Sequence, residues 1–151
     1  MSAIILSIKP KYVQSIFNKT KLFEFRKVIP KQRSVNKVII YSSSPKQRIV
    51  GYFAIEKIIS ESPESVWDQC KSHAGIDKEE FFNYFQGKQL AHAIQIKKVT
   101  KFVKEINPKD VDPEFRPPQS FSYIQPGQYL YKITQENQPT HESNSIETYF
   151  L

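Results

Sequence analysis

Cysteine is nearly missing: Cys70 is the single one in 151 residues. One thiol excludes an internal disulfide framework and a Cys-cluster zinc site. Histidine is almost as scarce. His73, His92 and His141 show no metal-ligand spacing, and no carboxylate cluster joins them. No apolar stretch approaches the roughly 18 residues of a membrane-spanning helix. The first six residues are too few, and lack the charged region, for a signal peptide. Internal repeats are absent. The expectation is a soluble, cytoplasmic protein with no metal, no cofactor and no membrane partner. Negative charge is the scarcity with the most information. Residues 1–50 hold eleven Lys/Arg and a single acid, Glu24, a net of +10, while residues 51–151 net −3. Such asymmetry suits a surface facing a polyanion, most simply nucleic acid, or else a solvated, solubilising face.

What is present is enough for a core. Hydrophobic residues make up 39% and aromatics 13%, so disorder of the whole chain is excluded. The length fits one domain. Ala3–Ile8 reads as a buried strand, ended by Pro10. Tyr12, Val13, Ile16 and Phe17 are spaced for a short amphipathic helix over 11–18. Leu22–Lys27 alternates like a strand, and Lys37–Tyr41 is the clearest buried one. Arg48–Ile59 reads as a long strand in which Gly51 marks a bulge or a close backbone approach. Ser62-Pro63 is an N-cap with proline at the first helical position, and Gly75 ends that segment. Val66, Trp67, Cys70 and Ala74 form its apolar stripe, so Trp67 and Cys70 are core. Asp77 with Glu80 resembles a capping box, and Gly87 closes a second, aromatic-faced helix. Leu90–Thr100 returns to strand, continuing toward Phe102. Asn107–Gln119, with four prolines, reads as a long loop, and Tyr129–Ile133 as a last short strand. The expected layout is a domain over 1–134 and a polar tail over 135–151. Strands with a few peripheral helices, without βαβ alternation, favour a small barrel-like α+β domain.

The densest polar cluster runs from Asn18 to Arg26. If 22–26 is extended, Glu24 and Arg26 share one face while Phe23 and Phe25 anchor the other. Glu24 among cations stays ionised, and can hold Lys21 or Arg26 while these meet a phosphate or a base. The ordinary alternative is a strand-face ion pair.

Ile5-Leu6-Ser7-Ile8-Lys9-Pro10 followed by Asn18-Lys19-Thr20-Lys21-Leu22-Phe23-Glu24-Phe25-Arg26 resembles the signature of ASCH domains, a PUA-like family. The family pattern is Gly-x-Lys-x-x-Glu/Thr-x-Arg. Lys21, Glu24 and Arg26 match it, and Asn18 or Lys19 stands near the usual glycine. Further blocks at Val38–Pro45, Val50–Ile59, Phe82–Ile96 and Arg116–Phe121 extend the likeness over about residues 4–133. The resemblance implies a PUA-like β-barrel with a conical cleft near the first helix, and recognition of RNA or of a modified nucleotide.

It also implies two enzymatic alternatives. One branch removes an acyl group from N4-acetylcytidine with a Lys and a Thr of this motif. Glu24 stands where that Thr would be, and a carboxylate cannot replace an activated hydroxyl nucleophile. Another branch resembles a metal-assisted ribonuclease, in which Lys21 would stabilise charge and Glu24 act as base.

The expected binding set is Lys9, Lys21, Arg26 and Arg116 on phosphate, with Glu24 orienting them or accepting from a base amino group. Tyr41, Ser42, Ser43, Gln119 and Ser120 would read base or sugar. The serines before Pro45 also suit a plain turn. Pro117 and Pro118 stiffen the loop that presents Arg116, Gln119 and Ser120. Phe121 and Tyr123 either stack on a base or pin that loop to the core. An unstacked RNA base is preferred to duplex DNA.

Overall fold

The computed structural model describes residues 2–32 and 34–135. The elements run β1 (Ser2–Ile8), α1 (Pro10–Phe17), β2 (Phe23–Arg26), β3 (Val35–Ser42) and β4 (Arg48–Glu61). They continue with α2 (Pro63–Cys70), a 3₁₀ turn at Lys71–His73, α3 (Lys78–Tyr84), β5 (Ala91–Ile106), α4 (Pro108–Val111), β6 (Ser122–Ile124) and α5 (Tyr129–Lys132). The six strands form one mixed sheet in the order β2-β5-β4-β3-β1-β6. Among the described residues only β1 and β3 pair in parallel. The architecture is α+β, as expected. The sheet does not close between β2 and β6, so "barrel" fits it loosely.

The apolar runs of β1 and β3 bury both faces. Ala3, Ile5 and Ile39 enter one core cluster with Tyr41, Phe102 and Tyr131. Ile4, Leu6, Ile8, Val38 and Ile40 enter another on the opposite face, where Val13 and Ile16 of α1 pack with Phe53. A third cluster joins Phe23 and Phe25 of β2 to Val66, Cys70, Phe81 and Phe85 of α2 and α3. Helix punctuation follows the sequence closely. Pro10 and Pro63 open α1 and α2, and the Ser62 hydroxyl accepts from the Ser65 N–H. Gly75 and Gly87 hold φ +67 and +80 after their helical segments.

Gly51 is the close approach expected of it. Pairing shifts register there, and a Cβ would strike the Thr100 carbonyl oxygen. Two readings are corrected. Tyr129–Ile133 is not a strand: Gln128 O accepts from the Tyr131 and Lys132 amides, forming α5. The neighbours Leu130 and Tyr131 both enter the core with Ile133, whereas strand alternation would part them. The proline-rich segment after β5 also carries a helical turn, α4, capped by the Asn107 side chain, which accepts from the Lys109 N–H. Beyond Gln135 the expected polar tail, with His141, lies outside the described residues, as does Arg33.

Candidate functional site

Pro10 at the first turn starts α1 immediately after β1, and the turn at Asn18–Thr20 returns the chain into β2. This β1–α1–β2 unit and α3 enclose a pocket of about 220 Å³. Its lining contains Lys9, Tyr12, Lys21, Glu24, Phe25, Arg26, Glu80 and Tyr84. The turn needs a left-handed residue, and Lys19 takes it at φ 66. A glycine holds that conformation freely, whereas a lysine pays about 1–2 kcal/mol. The Asn18 side-chain oxygen steadies the turn by accepting from both the amide and the hydroxyl of Thr20.

Lys21 is 2% exposed. Its ammonium donates to the Ala74 carbonyl at 2.8 Å and lies 5.1 Å and 4.7 Å from the ring centroids of Tyr12 and Phe25. Burial holds its pKa below the ordinary 10.5; Glu24 opposes that shift and Arg26 adds to it. Gly75 makes the seat possible. Its positive φ turns the chain after the 3₁₀ segment, and any Cβ there would collide with the Lys21 side chain.

Glu24 is 6% exposed and sits beside Arg26 on β2. Its Oε2 accepts from Arg26 Nε at 3.1 Å and lies 3.0 Å from Nη2. Nη2 also donates to the Ser7 carbonyl at 2.7 Å. The arginine thus ties β2 to β1 across the pocket floor. Among the described residues no hydrogen bond reaches Glu24 Oε1, and this oxygen is not sealed from solvent. On the opposite wall the Tyr12 hydroxyl donates to Glu80, whose carboxylate also takes Lys11 Nζ at 3.3 Å. Glu80 therefore clamps α1 to α3, while the Asp77 side chain caps α3 by accepting from the Glu80 amide. Only half of the expected capping box forms, because the Glu80 side chain is used across the pocket. Tyr84, one turn after Glu80, stands at the rim, 37% exposed, with Lys27 Nζ 4.6 Å from its ring centroid. Burial raises its phenol pKa.

Of the ten binding residues read from the sequence, Lys9, Lys21, Glu24 and Arg26 line this pocket. Tyr41 and Arg116 line a different cavity, beside Arg48, and Tyr41 is buried against Phe115 at 5.3 Å between centroids. Ser42 is buried at the end of β3, paired with Ile8, and the Ser43 amide donates to the Ile8 carbonyl. Gln119 and Ser120 are exposed. They follow Pro118, whose carbonyl accepts from the Ser7 hydroxyl at 2.9 Å, so their loop is tied to a pocket residue. Sequence reading assigned no site role to Ser7, Tyr12, Ile76, Glu80 or Tyr84, all in the lining. For α3 the signal was available: with Phe81 and Phe85 inward, Glu80 and Tyr84 share the neighbouring stripe at i, i+4.

The carboxylates of the pocket are Glu24 and Glu80, each already engaged by a cation. No group of three or more His, Cys, Asp or Glu side chains able to hold a metal occurs among the described residues. No helix among the described residues is long and apolar enough to cross a membrane.

Comparisons with known proteins bear on this unit. The model of a family described as "Domain of unknown function (DUF365)" matches residues 1–113. Two curated relatives from Ureaplasma parvum are similar over part of their length. An ATP synthase subunit alpha is 36% identical over 109 residues, 72% of this chain and 13% of that protein. A large ribosomal subunit protein uL22 is 33% identical over 125 residues, 80% of this chain and 39% of that protein. The chain thus spans well under half of these relatives. An ASCH domain-containing ribonuclease of Zymomonas mobilis is 24% identical over 123 residues, 80% of this chain and 82% of that protein. The crystal structure of ASCH from Zymomonas mobilis superposes with a TM-score of 0.79 at 22% identity, covering 90% of this chain and 96% of that one.

Proposed function

The chain belongs to the DUF365 family and has the ASCH fold, and from that premise we propose that it binds RNA, taking one unstacked nucleotide into the pocket between α1, β2 and α3. The observation that carries the reading is the convergence of Lys9, Lys21, Glu24 and Arg26 on one small pocket walled by Tyr12, Phe25 and Tyr84. Its volume, about 220 Å³, is below the roughly 300–1,000 Å³ of drug-sized pockets, which favours a single base over a larger ligand. An aromatic wall offers stacking, and the free Oε1 of Glu24 accepts from an exocyclic amino group. Lys9 at the rim and the guanidinium of Arg26 supply charge for the phosphate. A relative named a ribonuclease and the +10 charge of residues 1–50 support RNA as the ligand class. The loop holding Gln119 and Ser120, tied to Ser7, contributes contacts from the side. In this reading residues 1–134 form the binding domain.

Titrating labelled single-stranded RNA against its duplex tests this. We expect tighter binding of the single strand, and a loss of affinity with Tyr84→Ala equivalent to about 1–3 kcal/mol of stacking. Lys9→Ala should lower the slope of log K against log salt by about 0.7. Affinity for duplex equal to that for single strand, unchanged by both variants, would refute the pocket as the site.

One observation favours a second reading, hydrolysis of RNA. Lys21 is a desolvated amine beside Glu24, a pairing suited to charge stabilisation and proton transfer. Incubation with labelled RNA and with N4-acetylcytidine separates the readings. Turnover abolished by both Glu24→Gln and Lys21→Met would make the chain an enzyme; intact substrates would leave it a binding module.

A further inference from the structure

A second concavity, of about 580 Å³, opens between the C-terminal end of α1, the turn that follows it, and β5 from Ile96 to Lys101. Four lysines line it, Lys19, Lys97, Lys98 and Lys101, and no carboxylate does. Among the described residues none of the four makes an ion pair, unlike Lys11, Lys46 and Lys71.

Two irregularities of the backbone gather these charges. Successive strand residues point to opposite faces, so Lys97 and Lys98 in a regular strand would part. Pairing between β4 and β5 skips Lys97, however: Lys98 pairs with Ala54 and Ile96 with Ile55. A bulge of this kind breaks the alternation and re-aims side chains, and both lysines are exposed on the groove. The second irregularity is the left-handed Lys19, a long cationic side chain at a turn position where glycine would be unstrained.

We propose that this groove is a second binding site, a track for the phosphates of nucleotides adjoining the one in the pocket; the inference rests on the RNA reading above. The two sites are joined by one turn. Lys21 lines the pocket, and Lys19 and Leu22 line the groove. Several unpaired ammonium groups along two elements suit a chain of phosphates more than one small anion, because lysine acts as a point charge that positions a backbone without reading bases. Phe17 in the groove, with Lys101 Nζ 5.6 Å from its ring centroid, adds a face on which a base stacks.

The test compares the wild-type chain with the double variant Lys97→Ala/Lys98→Ala, whose side chains are exposed and outside the core. Two probes are used: a labelled single-stranded RNA of about ten nucleotides, within the span of small ssRNA-binding domains, and a ribonucleoside 5′-monophosphate. For the RNA, the variant should bind about tenfold more weakly at low salt, and its salt slope should fall by about 0.7 per lysine removed. Its affinity for the monophosphate should be unchanged. If the wild type binds both probes and the variant binds the RNA with unaltered affinity and slope, the groove assignment fails while the pocket reading stands. If the wild type binds neither probe, both fail together.

Discussion

Lys21 decides most of the chemistry of the pocket. An ammonium hydrogen-bonded to one carbonyl between two aromatic faces is held at a desolvation cost, which the nearby Glu24 offsets in part. That cost has a pH signature. The folded-state pKa of Lys21 is lowered from 10.5, so between that lowered value and 10.5 the unfolded chain binds more protons than the folded one. The stability contributed by this site therefore rises with pH through that window. Lys21→Met should leave stability at neutral pH unchanged or improved by about 1 kcal/mol. Its advantage over wild type should shrink as pH climbs through the window, in urea melts run in parallel. A difference between the two proteins that does not vary with pH would contradict the assignment. Gly75 provides a second test. Gly75→Ala and Gly87→Ala both impose a side chain on a positive φ, but only at Gly75 does the new Cβ meet the Lys21 chain. The Gly75 variant should lose about 1–2 kcal/mol more than the Gly87 variant in the same melts. Glu24 and Arg26 could be paired from the sequence because strand periodicity puts them on one face and charge contrast singles out the acid, whereas Lys21 came from the likeness to the ASCH signature. The pairing of Tyr12 with Glu80 could not be read from the sequence, since a helix stripe and a helix cap explain each residue locally. Only the tertiary approach of α1 to α3 makes them partners.

At the scale of elements, the pocket depends on α3 more than on α2. Both helices have a side-chain N-cap, from Asp77 and Ser62, but only α3 carries Glu80 and Tyr84 into the pocket. Asp77→Ala and Ser62→Ala should each cost about 1 kcal/mol of stability. Asp77→Ala alone should also weaken RNA binding, by severalfold in the titration with labelled single-stranded RNA, because fraying α3 displaces its two wall residues. Equal effects of both variants on binding would mean that α3 does not shape the site. The caps and breakers of α1, α2 and α3 were legible, since serine, aspartate, proline and glycine act through local backbone geometry. Tyr129–Lys132 was not, because four residues of aromatic and aliphatic character suit either period, and the fit of Leu130, Tyr131 and Ile133 into the core settled the matter. The bulge at Lys97 left no local mark at all; it is set by the pairing of β4 with β5.

For the whole molecule, the uneven charge and the open sheet belong to one account. The sheet order brings β2 to one edge beside β5, and α1 lies over that side with the turn that carries Lys19 and Lys21. The basic first third of the chain thereby meets the lysines of β5, two segments whose charges are far apart in sequence. The α+β class and the family likeness were legible from the order of the blocks. The separation of Tyr41 and Arg116 from Lys21 was not, because it depends on which face of the sheet Tyr41 takes on β3 and on where the loop after α4 carries Arg116. The claim that matters most is that one ribonucleotide occupies the pocket. A crystal structure of the chain with a ribonucleoside 5′-monophosphate addresses it directly. The expected result is a base against Tyr12, Phe25 and Tyr84, within hydrogen-bonding distance of Glu24 Oε1, with its phosphate toward Lys9 and Arg26. A nucleotide bound elsewhere, with this pocket empty, would contradict it.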